Sequence, residues 1–185
     1  MDAARLYYKV DDFRCCPEAI KPYSEGGKTP FGAWGIDPGT FLTKGDFGSY
    51  GINGWVETRN TIDGVGASKE NYLRRWKTPL VRGAAAVPLL LDAQWIDGWP
   101  SPANAPPDYD GQPWQGQSNM ARFCVNRHNE LVNAVFLDWS VRKVGLKELW
   151  TLKWHREYDT AGAWTILGGV TTENWPEWMR RFKDY

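Results

Sequence analysis

Residues 126–157, which read NRHNELVNAVFLDWSVRKVGLKELWTLKWHRE, contain both histidines and the most regular apolar pattern of the chain. Within them, residues 131–137 alternate between two faces that are both apolar, and Asn133 is the one polar residue. Such a strand is typical of a sheet centre that is covered on both sides. The following DWS predicts a turn and VRKV a further strand, while residues 121–128 predict a strand that a short NE turn joins to the apolar one.

The segment after this hairpin predicts a helix that packs on the sheet. Large apolar residues recur at helical spacing within residues 146–157, which places them on one face. They are Leu146, Leu149, Trp150 and Trp154. Tryptophans on such a stripe are more often core than ligand platform, because each ring buries a large area.

The C-terminal segment NWPEWMRRFKDY, residues 174–185, predicts a second packed helix. Asn174 suits the cap position, and Glu177 follows it at the spacing of a capping box. A further apolar stripe consists of Trp175, Trp178, Met179 and Phe182. We therefore expect this segment to act as a packing clasp whose removal lowers the stability of the domain.

Length and composition narrow the class of protein. A chain of 185 residues suits one domain with a substantial core, so we predict a single domain over residues 1–185. Nineteen glycines and twelve prolines indicate long loops, and the patterns together predict an α+β fold with an antiparallel sheet. Lys plus Arg and Asp plus Glu both number 22, which argues against a nucleic-acid partner because phosphate binding needs uncompensated positive charge.

Two more strands and a long loop are predicted upstream of the hairpin. Residues 48–57, GSYGINGWVE, predict one strand, and residues 87–93 predict another in which Pro88 marks a sheet edge or a strand start. The run AAAVPLLL at residues 84–91 is much shorter than the roughly 20 apolar residues that span a bilayer. Residues 97–119 form a long proline-rich loop, and a loop of this length is usually functional or packed on itself.

The three cysteines do not predict a zinc site. The chain has no CxxC pair, and neither histidine stands at ligand spacing from another donor. One disulfide from Cys124 to Cys15 or Cys16 and three buried free thiols are the two alternatives for these residues.

Catalysis by His128 and Asp138 is a first hypothesis for function. A strand rises about 3.3 Å per residue, so these two side chains would lie roughly 25–30 Å apart if the residues between them are extended. Catalytic contact requires about 3 Å. We therefore predict two turn residues with structural roles, and no enzyme, since a GxSxG element and a phosphate-binding loop are also missing from the sequence.

The long loop and its neighbourhood offer two binding hypotheses. The first is a calcium site, because calcium prefers hard oxygen ligands such as carboxylates. The spacing of the aspartates here matches no EF-hand, and the alternative is that they are solvated charges of the loop. The aspartates concerned are Asp92, Asp97, Asp108 and Asp110. Exposed aromatic rings at Trp99 and Trp114 would suit the face of a sugar. The second hypothesis is thus a secreted carbohydrate- or partner-binding module that uses residues 97–119.

The stretch RHNELVNAVFLDWSV has a histidine, nine intervening residues and an aspartate. It resembles the H-x9-D-G element of prepilin-type proteins related to type II secretion pseudopilins, which are abundant in planctomycetes and their relatives. The matching residues are His128, Asn133, Phe136 and Asp138. SYGINGWV upstream and the two C-terminal segments are similar to the same family, so the resemblance covers most of residues 48–185, whereas residues 1–47 are poorly defined.

This sequence departs from the family pattern at two places. The Asp-Gly pair, which fits a type I′ hairpin, is replaced by Asp138 and Trp139, and since tryptophan resists positive φ we expect a different or longer turn. Family members also begin with a leader and an apolar helix of about 20 residues, a length that spans a bilayer. That helix is not recognisable here, so either Met1 is not the true start or this chain is a soluble headgroup, and membrane attachment is expected only through such a helix.

The resemblance implies a pilin-like headgroup and a structural function. The chain would be a subunit of a type II secretion pseudopilus or type IV pilus-like fibre, on the periplasmic or cell-surface side. Its partners would be other pilin-like subunits or secretion-system components. No cofactor is implied apart from the calcium ion considered above.

Overall fold

A computed structural model describes residues 14–35, 47–56 and 68–185 of the chain. In these parts the protein has two β-sheets, few helices and long connecting segments, which makes it a mixed α+β fold. The end of the strand predicted for residues 48–57 lies outside the described residues. Among the helices that the structure describes, none has the length and apolar character that a membrane span requires.

A small sheet of three strands lies near the N-terminal end of the described chain. Its strands are β1 (Lys21–Pro22), β2 (Gly32–Gly35) and β3 (Phe47–Gly48), in that spatial order. β1 runs parallel to β2, and β2 runs antiparallel to β3. The sequence patterns did not indicate this sheet, because its strands are short and rich in glycine.

The main sheet has five strands. In chain order they are β4 (Tyr50–Asn53), β5 (Pro88–Asp92), β6 (Asp97–Gly98), β7 (Leu131–Phe136) and β8 (Val141–Gly145). Their spatial order is β6-β4-β5-β7-β8, so β7 lies inside the sheet. The sheet is mixed and not wholly antiparallel as predicted, because β6 runs parallel to β4. Pro88 is the first residue of β5, which confirms the alternative of a strand start.

One face of the main sheet is buried and the other is open. Along β7, Val132, Ala134 and Phe136 are buried, whereas Leu131, Asn133 and Val135 are only half-buried. The prediction of a strand covered on both sides is therefore wrong. The buried face packs on the aromatic residues of the C-terminal third, and the apolar residues of the second face remain partly in contact with solvent.

The hairpin between β7 and β8 is confirmed, and its turn has three residues. The Trp139 N–H donates to the Phe136 carbonyl, and the Phe136 N–H donates to the Ser140 carbonyl, both at 2.9 Å. This pattern matches a type I turn followed by one left-handed residue. Trp139 is that residue, with φ of 68°, so the turn is longer than a type I′ turn as expected, but tryptophan does adopt positive φ.

The helices predicted for the C-terminal third are short 3₁₀ turns instead. The described 3₁₀ segments are Tyr23–Glu25, Gly54–Val56, Ala84–Ala86, Asn119–Arg122, Lys147–Thr151, Thr172–Asn174 and Glu177–Met179. One short α-helix, α1 (Lys69–Arg74), begins after Ser68, whose hydroxyl accepts the N–H of Asn71 at its N-terminus.

Tertiary hydrogen bonds explain why residues 146–157 do not continue as a helix. The N–H of Lys153 donates to the Ala86 carbonyl, and the N–H of Arg156 donates to the Arg74 carbonyl, both at 2.9 Å. A backbone amide used in this way cannot close a helical turn. The apolar residues of the predicted stripe, from Leu146 to Trp154, are nevertheless buried.

Pro176 explains the break in the C-terminal segment. A residue before proline is disfavoured in the helical region, and Trp175 has an extended ψ of 147°. Asn174 therefore does not cap a long helix. Its side-chain oxygen accepts the N–H of Thr171 at 2.8 Å and closes a 3₁₀ turn.

Residues 121–128 do not form the predicted strand. They follow the 3₁₀ turn Asn119–Arg122 as a tightly turned segment, in which the N–H of Cys124 donates to the Met120 carbonyl and the N–H of Arg127 donates to the Val125 carbonyl. This segment has the apolar pattern of a strand because the side chains of Phe123, Cys124 and Val125 all enter the core.

Trp175 lies at the centre of the aromatic core. Its ring is 5.3 Å from that of Trp150 and 5.2 Å from that of Trp164, measured between centroids. Trp150, Trp154 and Trp175 are buried, and Trp178 packs against the core from the side, where its indole N–H donates to the Pro107 carbonyl at 2.9 Å.

We expect Trp175→Ala to lower the free energy of unfolding by about 3–5 kcal/mol, because it removes a buried aromatic ring and leaves a cavity. Urea denaturation followed by circular dichroism measures this. Trp139→Ala is the matched control, since its ring is 74% exposed and its loss should cost less than about 1 kcal/mol. Equal effects of the two substitutions would contradict a core role for Trp175.

Trp139→Gly should raise the free energy of unfolding by about 0.5–1 kcal/mol. Glycine relieves the strain of the left-handed backbone, and its larger entropy in the unfolded chain offsets part of that gain. Trp139→Ala retains a Cβ atom and should show no such increase. A lower urea midpoint for Trp139→Gly than for Trp139→Ala would show that positive φ at this position is not strained.

Candidate functional site

The Arg127 side chain is fully buried where the two sheets meet. Its guanidinium nitrogens donate to four backbone carbonyls from three segments of the chain. The acceptors are Pro30 and Ser49, at 2.5 Å each, and Gly32 and Ala93, at 2.9 Å each. These bonds join the small sheet to β4 and to the end of β5.

Asp92 stands beside Arg127 as the last residue of β5. It is fully buried, and its Oδ2 atom accepts the Asn133 N–H from the neighbouring strand at 2.7 Å. Its Oδ1 atom makes no hydrogen bond within the described structure and lies 3.6 Å from Nη1 of Arg127. A buried carboxylate needs such a cation, because an isolated charge is costly to remove from water.

His128 and Cys16 complete a cluster around Asp92. The Nε2 atom of His128 lies 3.2 Å from Oδ2 of Asp92 and 3.2 Å from Sγ of Cys16. The Cys16 N–H donates to the hydroxyl of Ser49, which fixes the backbone at this point. The cluster is thus built from three segments that are far apart in the sequence.

The electrostatics of the cluster follow from burial and from the Asp92 charge. Burial raises the pKa of the Cys16 thiol, and Asp92 acts in the same direction. Burial also raises the pKa of Tyr50 to about 12, again with a contribution from Asp92. Burial lowers the pKa of the Arg127 guanidinium, and Asp92 opposes this shift. Cys16 is therefore not activated as a nucleophile, which would require a lowered pKa.

The geometry also differs from that of a catalytic triad. In a triad the histidine uses one ring nitrogen for the nucleophile and the other for the carboxylate. Here a single nitrogen, Nε2 of His128, faces both the Cys16 sulfur and the Asp92 oxygen. Thiol, imidazole and carboxylate converging at one place form the ligand set of a transition-metal site, and zinc takes all three.

The other residues of the H-x9-D-G resemblance have separate positions. Asn133 lies in β7 and bonds to Asp92 through its backbone, and Phe136 is buried below the guanidinium of Arg142 at 4.5 Å. Asp138 is exposed in the turn, where the hydroxyl and N–H of Ser140 donate to it and lower its pKa. His128 and Asp138 therefore have different partners and form no acid–base pair.

The four aspartates predicted as calcium ligands are not brought together. Each of them has a different polar partner. Asp97 pairs with Arg122, Asp108 bonds to Gln112, Asp110 bonds to Asn126, and Asp92 belongs to the buried cluster. In the parts of the chain that the structure describes, the set of three metal-ligating side chains within 4.8 Å of one another is Cys16, Asp92 and His128.

The two loop tryptophans proposed as a sugar platform are half-buried. The ring of Trp99 lies against the backbone of Gly54, where an added Cβ would approach it to 2.4 Å. The ring of Trp114 packs on Trp95, and the guanidinium of Arg122 covers it at 4.3 Å. Each ring therefore has part of its surface occupied by neighbouring residues.

The cysteines are free buried thiols in this structure, so the disulfide alternative is not formed. The sequence patterns did not identify Cys16 and Arg127 as site residues. The polar run NRH, which lies between apolar segments, is a signal that could have identified Arg127, whereas nothing around RCC marks Cys16 or reveals the two segments as partners.

The fold and the cluster together define a mixed α+β domain with a buried polar centre. No protein-family model matches the chain, and neither a curated protein nor a solved structure shows significant similarity to it.

His155 is a second buried polar residue with an unusual environment. Its ring contacts Trp55 and Tyr158 in edge-on geometry, at centroid distances of 4.9 and 5.3 Å, and its Nδ1 accepts the Glu157 N–H at 3.2 Å. Burial lowers its pKa to about 4, and the charges of Arg74 and Lys153 add to the effect. The neutral form is therefore the one that the fold accommodates.

We expect acid to destabilise the protein partly through His155. Since the folded pKa of about 4 lies below the unfolded value of about 6.5, its contribution is present above pH 6.5 and is lost as pH falls towards 4. The loss should reach about 3 kcal/mol at most. Urea titrations at pH 7 and pH 5 for wild type and His155→Gln measure it, and an equal pH effect on both proteins would contradict this assignment.

Proposed function

We propose that this chain is a structural subunit, the headgroup of a type II secretion pseudopilus or of a related pilus-like fibre. The proposal gives it no catalytic role. The resemblance that motivates it lies in the part of the chain that folds as the β7–β8 hairpin and as the segment after it, which forms much of the core. A role in assembly requires a surface on which other subunits can pack.

The open face of the main sheet is the observation that supports such a role best. Apolar side chains stand there with large exposed fractions, 44% for Ile52, 37% for Leu90 and 70% for Val141. Leu90 and Val141 border an open groove of about 180 Å³ that Tyr50 and Val135 also line. Contiguous apolar surface on a domain usually marks a contact with another protein or segment.

The position of this face fits packing between subunits. It belongs to three adjacent strands, β4, β5 and β7, together with the start of β8, and these strands are held by the ladder pairings of the sheet. The face is therefore a preformed surface, and its association would need little ordering of the backbone. The preferred partners are other pilin-like subunits or components of the secretion system.

Cysteine crosslinking in the organism that encodes the chain tests this function. Val141→Cys places a thiol on the open face, and Leu167→Cys places one at a surface position that is 85% exposed and lies in the C-terminal third. The native cysteines are buried and should react slowly. With a bifunctional maleimide on intact cells, we expect Val141→Cys to give adducts with another pilin-like subunit and Leu167→Cys to give far fewer.

Identification of the adducts by mass spectrometry decides the outcome. Absence of any adduct at residue 141, with normal amounts of folded protein, would contradict assembly through this face. Retention of the purified protein on a polysaccharide, abolished by Trp114→Ala, would instead favour the carbohydrate-binding alternative.

A further inference from the structure

We propose that Cys16, Asp92 and His128 bind one zinc ion that ties three distant segments of the chain together. Their ligand atoms all lie within 4.8 Å of one another, and two of the separations are 3.2 Å. In tetrahedral zinc sites, bond lengths near 2.3 Å to sulfur and near 2.0–2.2 Å to nitrogen and oxygen place ligand atoms about 3.3–3.6 Å apart. The two separations that involve Nε2 of His128 are thus within a few tenths of an ångström of the required values, and the third, between Cys16 and Asp92, is at most 4.8 Å.

Hydrogen bonding alone accounts poorly for this arrangement. A neutral imidazole nitrogen carries either one proton or one lone pair. If Nε2 of His128 carries the proton, it can donate to Asp92, and the Cys16 sulfur keeps a weak shared contact with the ring besides its hydrogen bond with the Glu18 backbone. If it carries the lone pair, it can accept from the thiol, but it then faces the Asp92 oxygen at 3.2 Å without a proton between them. A shared metal ion satisfies all three atoms at once.

The surroundings supply the second layer of contacts that metal ligands need. Oδ2 of Asp92 accepts the backbone N–H of Asn133, and the Arg127 guanidinium lies on the side of Oδ1, so the carboxylate is held from two directions. Such outer contacts orient ligating groups and are a regular part of metal sites. The cost of the adjacent Arg127 charge is reduced because four carbonyl oxygens also surround it.

The ligand types select zinc over calcium. A thiolate and an imidazole suit zinc, whereas calcium takes oxygen ligands almost exclusively. Three protein ligands leave one tetrahedral position for water. Since the ligands come from the segment before β1, from the end of β5 and from the loop before β7, the ion would fasten the small sheet to the main one.

Cobalt titration of the full chain is the direct test. The protein is purified under reducing conditions, stripped with a chelator and titrated with Co²⁺ without oxygen. We expect one equivalent to bind, with the visible bands of tetrahedral cobalt and a thiolate charge-transfer band in the near ultraviolet. Zn²⁺ should displace the cobalt, and saturating Zn²⁺ should raise the melting temperature, because an ion that binds only the folded state stabilises it.

Matched cysteine variants identify the ligands. Cys16→Ala should remove the charge-transfer band, and both Cys16→Ala and His128→Gln should weaken Zn²⁺ binding by more than roughly 100-fold, the upper range for loss of a second-layer contact. Cys124→Ala removes another buried thiol, one that lies in the aromatic core, and should leave the spectrum unchanged. Circular dichroism establishes that each variant is folded.

Three results would overturn the zinc site. They are the absence of a cobalt spectrum from folded wild-type protein, a spectrum that survives in both Cys16→Ala and His128→Gln, and a thiolate band that disappears in Cys124→Ala. None of these results bears on assembly through the open sheet face, so the site and the proposed function fail or stand separately.

Discussion

The buried guanidinium of Arg127 is the interaction on which the rest of the fold depends. Four backbone carbonyls converge on it, and they belong to the start of the small sheet's second strand and to residues beside two strands of the main sheet. Unpaired buried carbonyls are costly, and a short sheet cannot pair all of its own. The Arg127 side chain, with five donors in a fixed plane, provides hydrogen bonds here that regular secondary structure does not provide.

The same junction explains why the charged cluster is tolerated. Asp92 compensates the Arg127 charge, and the Asn133 N–H and the His128 ring occupy its other oxygen. A buried pair of this kind contributes less to net stability than to fixing one arrangement of the chain. In this protein, the Arg127–Asp92 pair fixes which loop lies over the end of β5. It thereby also fixes the position of the segment that leads into β7.

Sequence patterns predicted the β7–β8 hairpin and β5 because local alternation and a local turn specify them. The patterns failed for residues 146–157, where the apolar residues have helical periodicity but the backbone N–H groups of Lys153 and Arg156 bond to distant carbonyls. The apolar spacing there predicted correctly which side chains are buried, but it did not predict the backbone conformation that buries them. The cluster was unpredictable for a related reason, since Cys16, Asp92 and His128 are 76 and 36 positions apart along the chain and spacing rules test only near neighbours.

The reach of the Arg127 bonds has a consequence for how this chain acquires its structure during synthesis. The carbonyls of Pro30 and Gly32 leave the ribosome first, yet their donor lies 97 and 95 residues further along. Closing loops of this length carries an entropic cost that local hairpins avoid, and contacts of such separation are associated with slow folding. The segment that carries Pro30 and Gly32 must therefore wait, incompletely paired, until residue 127 has been translated.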